Sequence, residues 1–298
     1  MYTIKEARQL NKQNYLMVID GVPVIANHCY PGQFIIVRID EQGERIPLTI
    51  CDFDRENGTI TIVFQPVGAS TTRMSRLGVG DAFADVVGPF GNPSEFTEMP
   101  LDELKQMKLL FVAGGVGAAP IYPQVKWLHE HGVEADVING AKTKELVLFE
   151  EEMRSVAGNV YITTDDGSYG FKGMVTAMME ELVTNQGKQY DRVIAIGPMI
   201  MMKFCTLTAK KLGIPVIVSM NPIMVDATGM CGACRVTVDG KTKFACVDGP
   251  EFRGENLNFD EAMQRARMYK TEEGRALLKL QEGDTHHGGC GQCDGGKE

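Results

Sequence analysis

The residues best suited to chemistry lie between Asp226 and Cys246, in the run D-A-T-G-M-C-G-A-C-R-V-T-V-D-G-K-T-K-F-A-C. Asp226, Cys231, Cys234 and Cys246 follow the spacing D-x4-C-x2-C-x11-C, which places three of the chain's eight cysteines within sixteen residues. Thiolates are the soft ligands that iron–sulfur clusters prefer, and four ligands are their usual complement. Here a carboxylate would be the fourth. Gly229 and Gly232 accept positive φ at little cost, so the loop can turn backbone N–H groups inward toward the sulfides of such a cluster. Two plainer readings stand beside this one. A zinc site is the first, although zinc favours a second short cysteine pair over one cysteine eleven residues further on. Reduced core thiols are the second, although loop cysteines bracketed by glycine are not core-like.

Composition narrows the setting. The 298 residues are 44% hydrophobic and 23% charged, which is ordinary globular chemistry with room for two or three domains. The net charge is −9 with no basic stripe, which argues against a nucleic-acid role. No apolar run approaches a membrane span, and the opening M-Y-T-I-K-E-A-R-Q-L lacks the apolar core of a signal peptide. A cytoplasmic location is expected, where thiols stay reduced and serve as metal ligands or reactive groups rather than disulfides.

The elements that must position the cysteine loop fall into three stretches. Residues 1–100 alternate short apolar runs with turn residues. Strands are predicted at Tyr15–Ile19, Gln33–Ile39, Leu48–Phe53, Thr59–Gln65 and Ala82–Val87, with no helical run between them, as in a small antiparallel barrel. Within it, Arg45 precedes Pro47, Leu48 and Thr49. The guanidinium can pair with a pyrophosphate, and Thr49 can present backbone and hydroxyl to an aromatic heterocycle. The run Gly68-Ala69-Ser70-Thr71-Thr72 can form a phosphate nest. Taken singly, these are also a surface charge and a plain loop.

In residues 101–222 the period changes. Five predicted strands (Leu109–Ala113, Ala135–Asn139, Val160–Thr164, Arg192–Ile196 and Val216–Ser219) are separated by four helices (Ile121–His131, Leu146–Val156, Met174–Thr184 and Met199–Leu212). That alternation implies a five-stranded parallel α/β sheet whose ligand lies at the strand C-termini. The loop after the first strand contains Gly115, Gly117 and Pro120, where backbone can approach a dinucleotide pyrophosphate at a helix start; a tight turn is the bland alternative. Two further loops end strands: Asp165-Asp166, and Gly197-Pro198. Cys29, Cys51 and Cys205 read as core thiols.

Residues 223–252 form the cysteine module, with a hairpin expected at Asp239-Gly240 and Gly249-Pro250 closing it. Residues 253–298 hold a helical segment, Phe259–Leu280, interrupted at Gly274. A tail follows in which Cys290 and Cys293 stand beside His286 and His287. A metal or redox role for that tail competes with simple terminal disorder.

The combination of Pro31-Gly32-Gln33-Phe34, Arg45-x-Pro47-Leu48-Thr49, Gly68 to Thr72 and Gly88-Pro89-x-Gly91 resembles the flavin domain of the ferredoxin–NADP reductase superfamily. Leu48 stands where that family's pattern has tyrosine, a departure found among its electron-transfer subunits. The resemblance implies FAD contacts at Arg45, Pro47, Leu48, Thr49, Gly68, Thr71 and Thr72. It implies nicotinamide dinucleotide contacts at Gly115, Gly117, Pro120, Asp165, Asp166, Gly197 and Pro198. An acidic pair where the adenosine ribose sits favours NAD(H) over NADP(H).

With the cysteine loop added, the chain is similar to the small (alpha) subunits of electron-bifurcating NADH-dependent reduced ferredoxin:NADP oxidoreductases. Sulfide dehydrogenase subunits are close to these. The resemblance implies a 2Fe–2S cluster on Asp226, Cys231, Cys234 and Cys246. It also implies a larger FAD and 4Fe–4S partner subunit through which NADP(H) and ferredoxin are reached. The electron-transfer subunit of NAD-dependent dihydroorotate dehydrogenase, with four cysteines at comparable positions, is the alternative. A non-catalytic zinc-binding protein is the alternative from another class.

Overall fold

The structure, a computed structural model, describes residues 2–282. The Cys290 and Cys293 tail therefore lies outside the described residues.

The first unit is a sheet of seven strands: β1 Tyr2–Gln9, β2 Tyr15–Ile19, β3 Phe34–Arg38, β4 Ile46–Asp54, β5 Thr59–Phe64, β6 Ala82–Phe83 and β7 Asp85–Phe90. Their order is β6-β1-β2-β5-β4-β3-β7, and every pairing is antiparallel. β6 and β7 are one run bent at Ala84, whose N–H donates to Arg38 O at 2.9 Å. That run pairs with β1 at one end and β3 at the other, so it brings the two edges together into a near-closed barrel. Isoleucines fill the interior: Ile4, Ile19, Ile35, Ile60 and Ile62 are fully buried.

Two helices and a strand go beyond the sequence reading. α1 (Pro23–His28) and α2 (Ala69–Met74) have six residues each, too short for a period to register. β1 reads as polar because only Ile4 of its eight residues is buried.

The second unit contains α3 Leu101–Leu104, β8 Leu109–Gly114, α4 Ala118–Glu130, β9 Ala135–Ala141, α5 Glu150–Val156, β10 Asn159–Thr164, β11 Phe171–Lys172, α6 Val175–Glu180, β12 Arg192–Ile196, α7 Met199–Leu212 and β13 Val216–Ser219. The strands β10-β9-β8-β12-β13 run parallel. β8 lies at the centre, and all six of its residues are buried, as expected of a strand covered on both faces. α5 starts later than Leu146 because Phe149 takes a left-handed conformation (φ 56°) just before it. α6 ends early in a π turn over Glu181–Asn185.

Beyond β13 come the hairpin β14 Arg235–Val238 and β15 Lys241–Phe244, then β16 Glu251–Arg253, α8 Phe259–Arg265 and α9 Lys270–Glu282. The hairpin turns at Asp239 (φ 50°) and Gly240 (φ 71°), as expected for a two-residue turn. The helical break falls between α8 and α9 rather than at Gly274, which lies inside α9. β16 returns to the parallel sheet and pairs antiparallel with β13. The cysteine loop is thus an excursion between two neighbouring strands of one sheet. Its Cys234, Val236, Ala245 and Cys246 belong to the same core cluster as Val216, Val218 and Phe252.

The barrel meets α4 through a small apolar seam of Leu16, Cys51, Val63 and Ala119, flanked by Lys126 Nζ at 2.8 Å from Asp52 Oδ1. Among the described residues no helix is long and apolar enough to cross a membrane.

Candidate functional site

The dinucleotide crevice follows from strand order. From β8 the chain winds one way through β9, β10 and β11, then crosses to β12 and β13 on the other side. Between β8 and β12 the order reverses, and ligands of such sheets sit outside the strand C-termini at that switch. Gly114–Gly117 and Gly197-Pro198 end those two strands and press together. A Cβ on Gly117 would lie 2.1 Å from Ile196 O, and one on Gly114 would lie 2.2 Å from Met201 Sδ. Only glycine fits at Gly117, where the obstacle is backbone; at Gly114 the Met201 side chain would have to move. Gly115, by contrast, has φ +56° and open space where a Cβ would be, so its need is conformational. Pro120 sits in the first turn of α4. The structure thus brings Gly115, Gly117, Pro120, Gly197 and Pro198 to one crevice.

Asp165 and Asp166 lie at the C-terminal end of β10, two strands away along the same edge, about 10 Å across the sheet. Their roles separate. Asp166 Oδ1 accepts from Ser168 N–H at 2.9 Å and from its hydroxyl at 2.7 Å, which hold its carboxyl below the usual range. Asp165 is exposed and makes no such turn, so its carboxylate can reach a ligand. Lys142 is exposed at the end of β9, and its carbonyl accepts from Asp166 N–H at 3.3 Å. In the sequence only its position one residue past a strand end marks this lysine.

The flavin candidates converge on the barrel's outer edge. Ser70 Oγ donates to Glu44, and Arg73 pairs with Asp40, which draws the start of α2 against the chain entering β4. Arg45 is thereby set beside Gly68–Thr72, exposed and with no side-chain partner among the described residues. The N–H groups of Ala69, Ser70 and Thr71 open α2 and have no intrahelical acceptor, so they fit an anion. Thr71 Oγ1 accepts from Gly68 N–H at 3.0 Å; its hydroxyl serves the cap, leaving its backbone for a ligand. Along β4, Ile46, Leu48 and Ile50 point into the barrel core, whereas Pro47 and Thr49 lie on the outer face. Leu48 can therefore offer a flavin only its backbone.

The cysteine loop forms two pairs. Asp226 Oδ1 accepts from Thr228 N–H at 3.0 Å, and this bond, with a further one from Cys231, holds the carboxyl below its usual range. Cys246 is buried beside Cys234; burial and that neighbouring thiol push it up to about 12, against a hydrogen bond from Gly229 N–H. Cys231 is exposed, whereas Cys234 and Cys246 are buried, so the loop is half core after all. Among the described residues no three His, Cys, Asp or Glu converge as a ready single-ion site. Three thiols and one carboxylate in two pairs, to which the Gly229 and Cys231 N–H groups donate, suit a binuclear iron cluster better than one tetrahedral zinc. Cys29 and Cys205, pushed up to about 12 by burial, and Cys51, pushed well above its ordinary value, are inert core thiols.

Comparison with known proteins agrees with this geometry. Residues 221–258 match the iron-sulfur cluster binding domain of dihydroorotate dehydrogenase B, and residues 111–206 match the oxidoreductase NAD-binding domain. The dihydroorotate dehydrogenase B (NAD(+)) electron transfer subunit homolog of Thermotoga maritima is 47% identical over 84% of this chain and 86% of its own. The chain belongs to the family of dihydroorotate dehydrogenase B electron-transfer subunits and their homologues. A Clostridium beijerinckii member, described as an uncharacterized protein in the adh 3′ region, is 59% identical across the full length of both chains. A structure from work on flavin-based electron bifurcation by NADH-dependent reduced ferredoxin-NADP oxidoreductase superposes with a TM-score of 0.86. It is 42% identical and covers 94% of this chain and 98% of its own. This family member is thus an oxidoreductase subunit with a ferredoxin-reductase-like fold, an NAD-binding domain and an iron–sulfur domain.

Proposed function

We propose that this chain passes electrons between NAD(H) and a larger FAD and 4Fe–4S partner subunit, within an electron-bifurcating NADH-dependent ferredoxin:NADP oxidoreductase. The observation that carries the reading is Asp226 in place of a fourth cysteine, paired with Cys231 on a loop inserted in the nucleotide sheet. In this reading residues 1–100 bind FAD, 101–222 bind NAD(H), 223–252 hold a 2Fe–2S cluster, and the remainder is a helical segment and tail.

Bound FAD exchanges the two-electron chemistry of NAD(H) for the single electrons that a 2Fe–2S cluster carries. The chain's own residues supply position. Arg45 and the first N–H groups of α2 bind the flavin pyrophosphate, and Thr49 with Pro47 faces its ring. Gly115 and Gly117 admit the dinucleotide pyrophosphate, Pro120 starts the helix behind it, and Gly197-Pro198 borders the nicotinamide. Asp165 accepts from the adenosine ribose. Asp226, Cys231, Cys234 and Cys246 hold the cluster. Exposed Val225, Met230 and Val247 rim this loop, and an apolar rim suits a protein partner. That partner reaches NADP(H) and ferredoxin, and the complex works in the cytoplasm.

The match of residues 221–258 favours a second reading, the electron-transfer arm of a dihydroorotate dehydrogenase. Isolation of the native complex separates the two. A flavin and 4Fe–4S partner supports the first reading; a dihydroorotate-oxidising partner overturns it. A colourless chain without flavin absorbance contradicts both.

A further inference from the structure

Away from these sites, a half-buried carboxyl sits where the three units meet. Glu251 opens β16, and its Oε1 accepts from Ser94 Oγ at 2.7 Å and from Gln124 Nε2 at 2.8 Å. Ser94 lies on the link between barrel and sheet, Gln124 on α4, and both are fully buried. The barrel loop closes over the carboxyl through Gly32 (φ +90°), where a Cβ would lie 2.7 Å from Ser94 Oγ and 3.2 Å from Glu251 Oε1. Gln124 Oε1 is buried without a partner, so the pocket's polar groups are not all satisfied in this arrangement.

Among the described residues no cation pairs with the carboxyl; its side-chain partners are those two neutral groups. On the link, Glu95 pairs with Arg192 of β12, which lines a small cavity with Glu251 and keeps its Nε buried without a partner, and Glu98 lines the groove. Glu255 Oε1 accepts from Val216 N–H at 2.8 Å, and Arg253 on β16 is exposed. β13 contributes Ile217, and α4 contributes Gln124, neither of which titrates. Glu251 also lines a groove of about 560 Å³ with Glu95, Glu98 and Arg253, which gives protons a route from solvent. Desolvation pushes this carboxyl up to about 7 although Ser94 and Gln124 donate to it, so near neutrality both its forms are populated.

Glu251 follows Cys246 by five residues, so their Cα atoms are within about 18 Å even with the chain fully extended. An electron arriving at the cysteine loop raises the proton affinity of a half-buried carboxyl at such range, the more so because its hydrogen-bond partners are neutral.

We propose that Glu251 is the redox-linked proton-binding site of this chain: it takes one proton from the groove when one electron, supplied by NADH, reaches the cluster, and releases it when the electron leaves. The inference rests on the function proposed above. Its test is a potentiometric titration of the holoprotein followed by EPR, from about pH 5.5 to about pH 9. In the wild type the cluster's midpoint potential falls with pH through the neutral range and levels off on either side. In Glu251→Gln, which keeps an acceptor for Ser94 and Gln124, it is level throughout. In Ser94→Ala, which removes a donor to the carboxylate, the bend moves to higher pH. The reduced-minus-oxidised infrared spectrum of the wild type gains a carboxylic-acid C=O band that Glu251→Gln lacks. Equal pH dependence in wild type and Glu251→Gln, or a level wild-type potential with an intact cluster signal, overturns this assignment alone. A wild type with FAD and no cluster signal overturns the proposed function too.

Discussion

The dinucleotide crevice and the cysteine loop are built in opposite ways. The crevice is complete in the polypeptide alone: Gly114, Gly117 and Gly197 are locked by backbone and Met201, and β8 beneath them is buried along its whole length. The cysteine loop is regular only at its base. Its four donors stand in two pairs, one side exposed and the other packed in the core. A pyrophosphate asks for backbone approach, which sterics can fix beforehand. A cluster asks for thiolates, whose mutual repulsion only the metal relieves.

If this contrast is right, the largest effects come from the cluster donors. Cys246→Ser or Cys234→Ser abolishes the 2Fe–2S absorbance and EPR signal while leaving NADH reduction of FAD within about threefold, since neither cysteine lines the crevice and serine is nearly isosteric. Loss of flavin reduction in these variants breaks the comparison. Next comes the crevice. Gly117→Ala forces a methyl against Ile196 O and destabilises the nucleotide unit by about 3 kcal/mol in denaturant unfolding, whereas Gly115→Ala, with open space but positive φ, costs about 1 kcal/mol. Equal costs at both positions contradict the steric account.

Much of this was legible in the sequence, and the failures have particular causes. Gly115, Gly117, Gly197 and Pro198 announce themselves because each follows a strand. The cysteine spacing announces itself because ligand chemistry constrains it. Leu48 and Thr71 do not: which way β4 faces, and that Thr71 caps Gly68, depend on β3 and α2 being in place. The Glu251 cluster is the least legible, since its partners are 157 and 127 residues away and none carries a motif.

That cluster gives a stability effect of similar size at the junction between the two regions. Glu251 has a folded-state value of about 7, above its ordinary 4.5. The folded state therefore holds the proton more tightly, and the contribution is full below about pH 4.5 and lost as pH rises through about 7. The gap corresponds to about 3 kcal/mol at most. Denaturation at about pH 5 and about pH 8 should show a smaller pH-dependent difference in Glu251→Gln than in the wild type. An unchanged difference contradicts it. Asp165→Asn should weaken the preference for NADH over NADPH by about tenfold, with Lys142 then free to favour the phosphate. Preference for NADPH in the wild type contradicts the reading of Asp165. The smallest effect is Lys126→Ala, which removes a half-exposed ion pair between barrel and α4 and costs about 1 kcal/mol.

The most direct test is anaerobic reduction of the purified chain by NADH, followed by EPR in the wild type and in Asp226→Cys. Bound FAD should bleach together with the appearance of a 2Fe–2S signal whose g-values and potential differ between the two proteins. Flavin bleaching without a cluster signal, or identical signals in both proteins, would contradict it.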